Sequence, residues 1–315
     1  MEKPLKILAV VGPTASGKSA LAVKLAKALD GEIVSADSMQ IYTGMDIATA
    51  KPTPEEMEGV PHHLIDFVPP TRRYSVADYV VDAKRIIAGI AERGRLPIVA
   101  GGTGLYVDAL VGNLCFDDAR VDEEVRARLK KELACQGPEE MYRKLAALDP
   151  ELAEKLHQNN TGRVLRALET MEVTGQKMSE LQKQAAATPK LYDACYLGIE
   201  YSDRELLYNR INRRVDRMVE QGLISEALAF YTERREYQTA QQAIGYKELA
   251  DYFEGNCTLE EGLENLKKRT RNYAKRQLTW FRRNRSIHWI DAGEQTTDEE
   301  IFQRAMEIAR CHLEG

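Results

Sequence analysis

One short segment near the N-terminus carries the residues best suited to chemistry. Residues 12–19 read GPTASGKS, the pattern of a phosphate-binding loop, with two glycines at a fixed spacing before a lysine and a hydroxyl residue. An apolar, strand-like run (7–11) precedes the loop and a helix-forming run (19–29) follows it. In that order of elements the backbone N–H groups converge on an anion, Lys18 adds a positive charge and the Ser19 hydroxyl can bind Mg²⁺. The residues expected to hold a di- or triphosphate are Gly12, Pro13, Thr14, Ala15, Ser16, Gly17, Lys18 and Ser19.

Two further polar residues follow predicted strands. Asp37 comes directly after an apolar run at 32–36, and Thr103 lies in a glycine turn after a run at 96–100. Ligands of open parallel sheets bind outside the carboxyl ends of the strands, so both side chains should share a crevice with the phosphate loop. Asp37 is therefore a candidate general base or metal ligand rather than a helix cap. The strand at 96–100 does not end in the aspartate with which many ATPases organise Mg²⁺, which weakens a plain ATPase interpretation.

The bulk composition indicates a folded protein with more than one module. The chain has 315 residues, of which 43% are hydrophobic and 30% charged, and its longest apolar stretch is too short and glycine-rich to span a bilayer. A cytoplasmic location is expected. The five cysteines (Cys115, Cys135, Cys195, Cys257 and Cys311) lack a C-x-x-C pair and are expected to be reduced thiols, and the adjacent His62 and His63 have no third metal ligand nearby.

The segment from about residue 113 to 189 differs from the rest of the chain. It is polar and largely helical in pattern, with candidate helices at 121–133, 138–148 and 162–171, and a strand pattern resumes at 194–199. We therefore predict an α/β fold whose discontinuous core (1–112 and 190–315) has a parallel sheet with helices on both faces. An all-helical domain (113–189) is inserted into this core.

Two arginine-rich stretches suggest a nucleic-acid partner, although the net charge of −5 argues weakly against one. Arg210, Arg213, Arg214 and Arg217 fall on one stripe of a predicted helix. Residues 265–290 contain no acid and many cations, with Tyr273, Trp280 and Phe281 between them. Such a run suits a phosphate backbone and stacked bases, whereas either stretch alone could equally be a solvated surface.

Seven segments together resemble a known family, the bacterial tRNA dimethylallyltransferases. They run in order along the chain as GPTASGKS (12–19), DSMQIY (37–42), MDIATAKP (45–52), HHLID (62–66), GGTGLY (101–106), RVLRALE (163–169) and QAIGYKE (242–248). The phosphate loop alone is unspecific, but DSMQIY, GGTGLY and GYKE in combination are highly specific.

The resemblance implies a prenyl transfer. In this family dimethylallyl diphosphate gives its five-carbon group to N6 of the adenosine 3′ to the anticodon of tRNA and releases diphosphate, with Mg²⁺ as cofactor. The family fold is a P-loop-kinase-like core whose inserted helical domain grips the anticodon stem-loop. We expect tRNA and dimethylallyl diphosphate as partners, no membrane, and a monomer.

The same resemblance assigns roles to individual residues. Asp37 would accept the proton of the amine, Lys18 and the loop amides would stabilise the diphosphate, Ser19 would hold Mg²⁺, and Thr103 would assist. Arg214, with Arg210 one turn away, would face the diphosphate. The residues expected to contact tRNA are Asp37, Ser38, Met39, Gln40, Thr103, Arg126, Gly162, Arg163, Val164, Leu165, Arg166, Gln242, Gly245 and Tyr246, joined by Arg282 and Arg283 of the basic run.

Three other functions share some of these features. An ATP-dependent small-molecule kinase would use the same loop, Lys18 and Mg²⁺, but would leave the basic run and the helical insertion without a partner. An adenylate isopentenyltransferase would prenylate free nucleotides and would need neither. A non-catalytic RNA-binding protein would not need a phosphate loop.

Overall fold

A parallel β-sheet forms the centre of the larger part of the protein. The computed structural model describes residues 3–112, 122–233, 236–237 and 239–315. The strands of these residues are β1 (Leu5–Val11), β2 (Gly31–Ser35), β3 (His62–His63), β4 (Leu96–Gly101), β5 (Tyr192–Glu200) and β6 (Ile287–Asp291). They lie in the order β3-β2-β4-β1-β5-β6, and every neighbouring pair is parallel. The chain order reverses on either side of β1, which makes the carboxyl end of β1 the expected ligand crevice.

The central strand is buried on both faces, as its continuous apolar sequence predicts. Leu8 and Val10 belong to a core cluster that includes Leu25 and Ala305, whereas Ile7 and Ala9 alternate with them and are also fully buried. Alternating side chains point to opposite faces of a sheet, so both faces of β1 are covered.

Helices cover the sheet and carry most of the site. In chain order the core helices and the helices of the segment between β4 and β5 are α1 (Lys18–Ala28), α2 (Pro54–Met57), α3 (Val76–Glu92), α4 (Gly104–Val111), α5 (Glu123–Leu148), α6 (Pro150–Ala153), α7 (Thr161–Thr174), α8 (Met178–Ala187), α9 (Arg204–Glu220), α10 (Leu223–Glu233), α11 (Ala250–Phe253), α12 (Leu259–Phe281) and α13 (Asp298–Glu314). Capping boxes begin α2, α3, α12 and α13, so the local sequence fixes where these helices start.

The chain divides into two compact units. One comprises Met1–Leu110 with Leu191–Gly315, and the other comprises Val111–Lys190. The second unit holds α5 to α8 around its own core of Leu129, Leu145, Val164 and Leu168. Gly137 has φ 82° and interrupts the helical path of α5 before Pro138, which matches the two helices predicted there.

The predicted fold class is confirmed: a parallel sheet is flanked by helices, and a helical segment is inserted. The sequence analysis did not predict α10, α11, β6 or α13. The strand β6 escaped detection because it overlaps the end of the basic run and its burial does not alternate: Ile287 and Ile290 are buried, and the exposed His288 and the half-buried Trp289 lie between them. Val121, the predicted start of an inserted helix, and Cys115 lie outside the described residues. The other four cysteines are free thiols, and no described helix is both long and apolar enough to cross a membrane.

One buried carboxylate joins the strands at the edge of the sheet. Glu32 on β2 is 3% exposed. It accepts two hydrogen bonds from Arg93, at 3.2 and 2.7 Å, one from Arg95 at 3.4 Å, and it lies 2.7 Å from His63 Nε2 on β3. Burial alone would raise the pKa of Glu32, but the hydrogen bonds from Arg93 and His63 outweigh it and hold the pKa below its usual value. His63 therefore has a structural partner.

We predict that Glu32→Gln lowers the free energy of unfolding by about 2 kcal/mol, because the amide loses the charge-assisted hydrogen bonds and keeps the size. The pKa of Glu32 is lowered by folding, so its contribution is present above the ordinary carboxylate pKa. It fades as the pH falls through the folded-state pKa. Urea unfolding followed by tryptophan fluorescence tests this, because Trp280 and Trp289 both belong to the sheet-containing unit.

The matched control is Glu58→Gln, which removes an exposed pair with Lys27 and should leave stability unchanged. A Glu32→Gln protein as stable as the wild type at pH 7 would contradict the structural role of this cluster.

Candidate functional site

The phosphate loop leaves a helix N-terminus open for an anion. The α1 helix begins after Gly17, whose φ of 94° favours glycine, and no side chain caps the helix. Its first turn contains no acid. The first N–H groups of a helix have no partner within the helix and carry its positive dipole end, so a diphosphate is a suitable ligand here.

Three side chains hold the backbone of this loop from outside. Gln277 on α12 is 5% exposed; its side chain accepts a hydrogen bond from Thr14 N at 2.8 Å and donates one to Gly102 O at 2.9 Å. Arg210 on α9 donates to Ala15 O at 3.0 Å, and Tyr201 donates to Ser16 O at 3.3 Å. The loop is thereby tied to α12, α9 and the turn after β4.

Two cations and one carboxylate lie together at this loop. Arg214 donates to Thr14 Oγ1 at 3.3 Å, and Lys18 Nζ donates to Pro13 O at 3.3 Å. Burial and, to a smaller extent, the nearby Arg214 charge lower the pKa of Lys18 to about 8, although Asp37 opposes the shift. Burial also lowers the pKa of Arg214, which Asp37 again opposes. Two desolvated cations that share one carboxylate attract an anionic ligand.

Asp37 is held with one oxygen engaged. Its Oδ1 accepts hydrogen bonds from Met39 N at 2.9 Å and Gln40 N at 3.2 Å, whereas its Oδ2 has no hydrogen bond to the described residues. Burial raises the pKa of Tyr273 and the nearby Asp37 charge raises it further, so this hydroxyl stays protonated beside the carboxylate. Asp37 can thus accept a proton at Oδ2 without losing its position.

Close approach of β2 and β4 brings the two turns together. A Cβ at Gly101 would lie 2.2 Å from Ala36 O, so only glycine fits where β4 passes the end of β2. Thr103 N donates to Ala36 O at 3.0 Å, and its Oγ1 accepts from Ser38 N at 3.0 Å. Thr103 therefore fixes the segment that carries Asp37.

These groups face a cleft of about 240 Å³. Its polar part includes Lys18, Ser19, Asp37, Arg214 and Arg276. Its apolar part is formed by Ile211, Val215, Met218, Leu223, Ile244 and Leu266. The cleft therefore combines cationic side chains, a carboxylate and an apolar surface.

One wall of the cleft is the loop at 45–51. The polar side chains of Gln40 and Lys51 hold this loop in its conformation. Gln40 Nε2 donates to Thr49 O at 3.1 Å and to Ala50 O at 2.9 Å. Lys51 donates to Tyr42 O at 2.8 Å and lies 2.5 Å from both Asp46 and Asp66. The motifs MDIATAKP and HHLID are joined by this lysine.

Glu226 on α10 connects that loop to a second wall at 242–247. One of its oxygens accepts from Asp46 N at 2.9 Å and Ile47 N at 2.8 Å, and the other accepts from Ala48 N at 2.9 Å and the Tyr246 hydroxyl at 2.8 Å. Gly245 packs against this loop with φ 112°, and a Cβ there would lie 2.7 Å from the Ala48 Cβ.

The helical unit has a separate pocket of about 240 Å³ between α5 and α7. Arg126 on α5 and Arg166 on α7 both line it, and both donate to Glu169, at 3.1 and 3.2 Å. Gly162 and Leu165 line the same pocket.

The structure therefore separates the residues predicted from the sequence into groups. In the cleft it places Thr14, Lys18, Ser19, Asp37, Ser38, Met39, Gln40, Arg214, Gln242 and Gly245. Thr103, Arg210 and Tyr246 do not line the cleft but form hydrogen bonds with segments next to it. The roles assigned to these three residues stay predictions. The group of Arg126, Gly162, Leu165 and Arg166 surrounds the second pocket, and Arg163 and Val164 follow on the same helix.

The basic run differs from its sequence interpretation. Phe281 is 2% exposed and packs inside, where it offers no free face to a base, whereas Trp280 is half-buried and its N–H donates to Asp108 at 2.7 Å. Arg282 pairs with Glu200 at 2.8 Å, and the Arg283 guanidinium lies 4.8 Å from the Trp280 ring centre.

The sequence analysis missed Gln277, Glu226 and Glu169 as parts of these sites. Gln277 and Glu226 lie on amphipathic helices, where a polar residue carries no signal of burial. Glu169 was quoted within RVLRALE, but its pairing with Arg126 crosses two helices and only the fold reveals it.

Comparison with known proteins identifies the family. Residues 40–284 match the IPP transferase family model. The tRNA dimethylallyltransferase of Halalkalibacterium halodurans is 48% identical over 298 residues, which cover 95% of each chain. Among solved structures, the tRNA isopentenylpyrophosphate transferase from Bacillus halodurans has a TM-score of 0.72 at 44% identity, with 98% of each chain covered.

A eukaryotic dimethylallyltransferase acting on tRNA has a TM-score of 0.85 at 32% identity, which covers 98% of this chain and 80% of the other. The match to the family model and the similarity along nearly the whole chain lead to one conclusion: the chain belongs to the IPP transferase family.

Proposed function

We propose that this chain transfers a dimethylallyl group from dimethylallyl diphosphate to N6 of the adenosine 3′ to the anticodon of tRNA, with release of diphosphate. The observation that carries the proposal is the cleft, in which Lys18 and Arg214 lie beside Asp37 and next to an apolar surface. The relatives named tRNA dimethylallyltransferase support the same reaction.

The reaction exchanges one bond at the first carbon of the prenyl group. The carbon–oxygen bond to the diphosphate breaks, its electron pair leaves with the diphosphate, and the nitrogen of the amine bonds to that carbon. The leaving diphosphate gains negative charge, which Lys18, Arg214 and the N–H groups at the start of α1 are placed to stabilise. Asp37 Oδ2 takes the proton that the amine releases.

The residues present fit Mg²⁺ as the cofactor. Mg²⁺ retains several waters and binds few protein oxygens together with substrate phosphates, and Ser19 supplies a hydroxyl in the cleft. When bound, the ion would neutralise charge on the diphosphate. No group of three or more His, Cys, Asp or Glu side chains with metal-site geometry lies among the described residues, so a site built from protein ligands alone is not proposed.

The apolar part of the cleft suits the prenyl chain. Val215, Leu223 and Leu266 are each buried by 97% or more and line the cleft with Met218. A small hydrocarbon group gains free energy from such a surface, whereas a kinase substrate that presents a hydroxyl to ATP would gain little from it. This lining favours prenyl transfer over the kinase alternative.

The acceptor adenine must leave its stack to enter the cleft, as in other enzymes that act on a base. Gln40 and the 242–247 wall lie at the cleft and are proposed to contact the tRNA there. Arg283, which stacks on Trp280, is the better candidate for a phosphate contact, because Arg282 already pairs with Glu200. The cleft lies within one unit of one chain, so a monomer is sufficient to form it. We propose that this monomer acts on tRNA in the cytoplasm.

The function is tested by incubating the full-length protein with Mg²⁺, dimethylallyl diphosphate and an unmodified anticodon stem-loop RNA. Mass spectrometry should show the gain of one dimethylallyl group on the adenosine 3′ to the anticodon, without ATP. Free AMP as acceptor is the control. Transfer to AMP with equal efficiency would favour the adenylate isopentenyltransferase, and phosphoryl transfer from ATP without prenylation would favour the kinase.

Asp37→Asn should lower kcat by about 10²–10⁴-fold, the usual contribution of a general base, while RNA affinity changes little. Asparagine keeps an oxygen for Met39 N and Gln40 N and loses the ability to take a proton. Single-turnover rates and RNA binding by fluorescence anisotropy measure the two effects separately. The assignment of Asp37 as the base is wrong if both fall by the same factor.

Diphosphate affinity should decrease above pH 8, because burial and Arg214 lower the pKa of Lys18 to about 8 and only the protonated amine attracts the anion. The Kd for inorganic diphosphate should rise by up to about tenfold between pH 8 and pH 9, the limit for loss of one proton. Isothermal titration calorimetry measures it.

Lys18→Arg provides the comparison for that pH profile, since a guanidinium stays charged throughout this range. Its affinity should be weaker overall but should no longer change between pH 8 and pH 9. A wild-type profile as flat as that of the variant would show that Lys18 does not titrate in this range.

A further inference from the structure

The two chemical parts of the cleft follow strands that do not pair with each other. The phosphate loop follows β1 and Asp37 follows β2, and β4 lies between these two strands in the sheet. Strand pairing therefore relates the loop to Asp37 only through β4 and the turn after it at 101–103. A transfer in which an amine attacks carbon opposite to the leaving group requires both parts at a closely defined separation.

One buried amide connects the phosphate loop to this turn. The Oε1 atom of Gln277 accepts a hydrogen bond from Thr14 N at 2.8 Å, and its Nε2 atom donates one to Gly102 O at 2.9 Å. A Cβ at Gly102 would lie 2.2 Å from this Nε2 atom. Glycine at this position therefore lets the amide approach the backbone of the turn.

The same turn holds the segment that carries Asp37. Thr103 N donates to Ala36 O at 3.0 Å, and Thr103 Oγ1 accepts from Ser38 N at 3.0 Å. These two contacts lie on either side of Asp37 in the chain. Hydrogen bonds to backbone groups thus lead from the phosphate loop to Asp37, and the Gln277 amide provides the step between the loop and the turn.

Gln277 has little hydrogen-bonding capacity left for a substrate. It also contacts Tyr273, one turn earlier on α12: burial and the Asp37 charge raise the pKa of Tyr273, and hydrogen bonds with Thr103 and Gln277 oppose the rise. With its two backbone contacts, the amide therefore uses three of its four possible hydrogen bonds within the protein. Although Gln277 lines the cleft, these contacts suit it to hold other residues in place.

The helix that carries Gln277 is anchored on both sides of it. Arg271 donates to Asn212 on α9 at 2.7 Å, and the Trp280 N–H donates to Asp108 on α4 at 2.7 Å. Both contacts join α12 to other helices of the same unit. The amide is therefore held by a frame that exists before any substrate binds.

We propose that Gln277 is a positioning residue for the transfer step, and that it sets the separation between the diphosphate at the loop and the base Asp37. The inference rests on the proposed function for the identity of the reaction. Loss of Gln277 should slow the bond-forming step. It should leave the affinity for each substrate nearly unchanged, because the groups that bind diphosphate and RNA stay within their own segments.

Gln277→Met tests this role, because it keeps the length of the side chain and removes its hydrogen bonds. The single-turnover rate at saturating dimethylallyl diphosphate and stem-loop RNA should fall by about 10–10²-fold, the size of effect that a misplacement of about 1 Å has. The Kd for inorganic diphosphate, measured by calorimetry, and the Kd for RNA, measured by fluorescence anisotropy, should change by about threefold or less.

A double-mutant cycle with Asp37→Asn shows whether Gln277 acts through the base. In the Asp37→Asn protein no base remains to be misplaced, so the effect of Gln277→Met on the rate should shrink to about threefold or less. A role limited to stability would give losses that multiply.

Gly102→Ala breaks the same connection from the side of the turn. Its Cβ would lie 2.2 Å from Gln277 Nε2, so the amide has to withdraw although Gln277 itself is unchanged. This variant should show the same loss of rate and the same cycle with Asp37→Asn. It keeps the test available if Gln277→Met does not fold, which thermal melting shows.

The matched control is Asn212→Ala. It removes the acceptor of Arg271, which is another hydrogen bond of α12, but Asn212 does not line the cleft. The control should lower the Tm and keep the wild-type single-turnover rate.

The outcomes separate this inference from the proposed function. A wild-type protein that transfers no prenyl group to the RNA would refute the proposed function and this inference with it. With an active wild type, the inference alone is overturned if the folded Gln277→Met or Gly102→Ala protein keeps the wild-type rate. It is also overturned if the Kd for diphosphate rises by the factor by which the rate falls, or if the losses multiply in the cycle.

Discussion

Two half-buried cations beside the phosphate loop are the constraint on which the cleft depends. Desolvation disfavours the charge of both Lys18 and Arg214, the Arg214 charge disfavours that of Lys18 further, and Asp37 offsets these effects only in part. Without a ligand this arrangement costs free energy, because burial of unpaired charge is unfavourable. A bound diphosphate removes that cost. The cleft therefore favours an anionic ligand, and it favours the departing diphosphate, which is more negative, over the intact substrate.

The charges of Lys18, Arg214 and Asp37 would change the shape of a flexible cleft. The surrounding hydrogen bonds prevent such a change. Gln277 and Tyr201 fix the phosphate loop by its backbone, and Glu226 fixes the opposite wall by three N–H groups and one hydroxyl. Each of these residues acts on the main chain rather than on a substrate. Their common effect is to hold charged and apolar surfaces at a set distance before any ligand arrives, which is what preorganised catalysis requires.

Much of this could be predicted from the sequence where local signals are strong. The loop at 12–19, the strand before it and Asp37 after β2 follow from glycine spacing and β-branched runs. The contacts of Gln277, and those of Glu226 with the loop at 45–51, could not be predicted, since they join residues more than a hundred positions apart. The basic run shows the opposite case: Phe281 was grouped with the aromatic residues that suit stacked bases although it is buried, because charge and aromatic content do not reveal which face of α12 is buried.

The two units differ in whether a carboxylate pairs with their arginines. In the core, Arg214 has no carboxylate within hydrogen-bonding distance among the described residues, so it remains available to charge that develops during a reaction. In the helical unit, Glu169 neutralises part of the charge of Arg126 and Arg166. This weakens the attraction of the two arginines for anions but fixes the geometry of both guanidinium groups. A guanidinium paired with a carboxylate keeps a fixed orientation, whereas an unpaired one keeps its full attraction for an anion. The same residue type thus behaves differently in the two units, and the nearby carboxylate decides the difference.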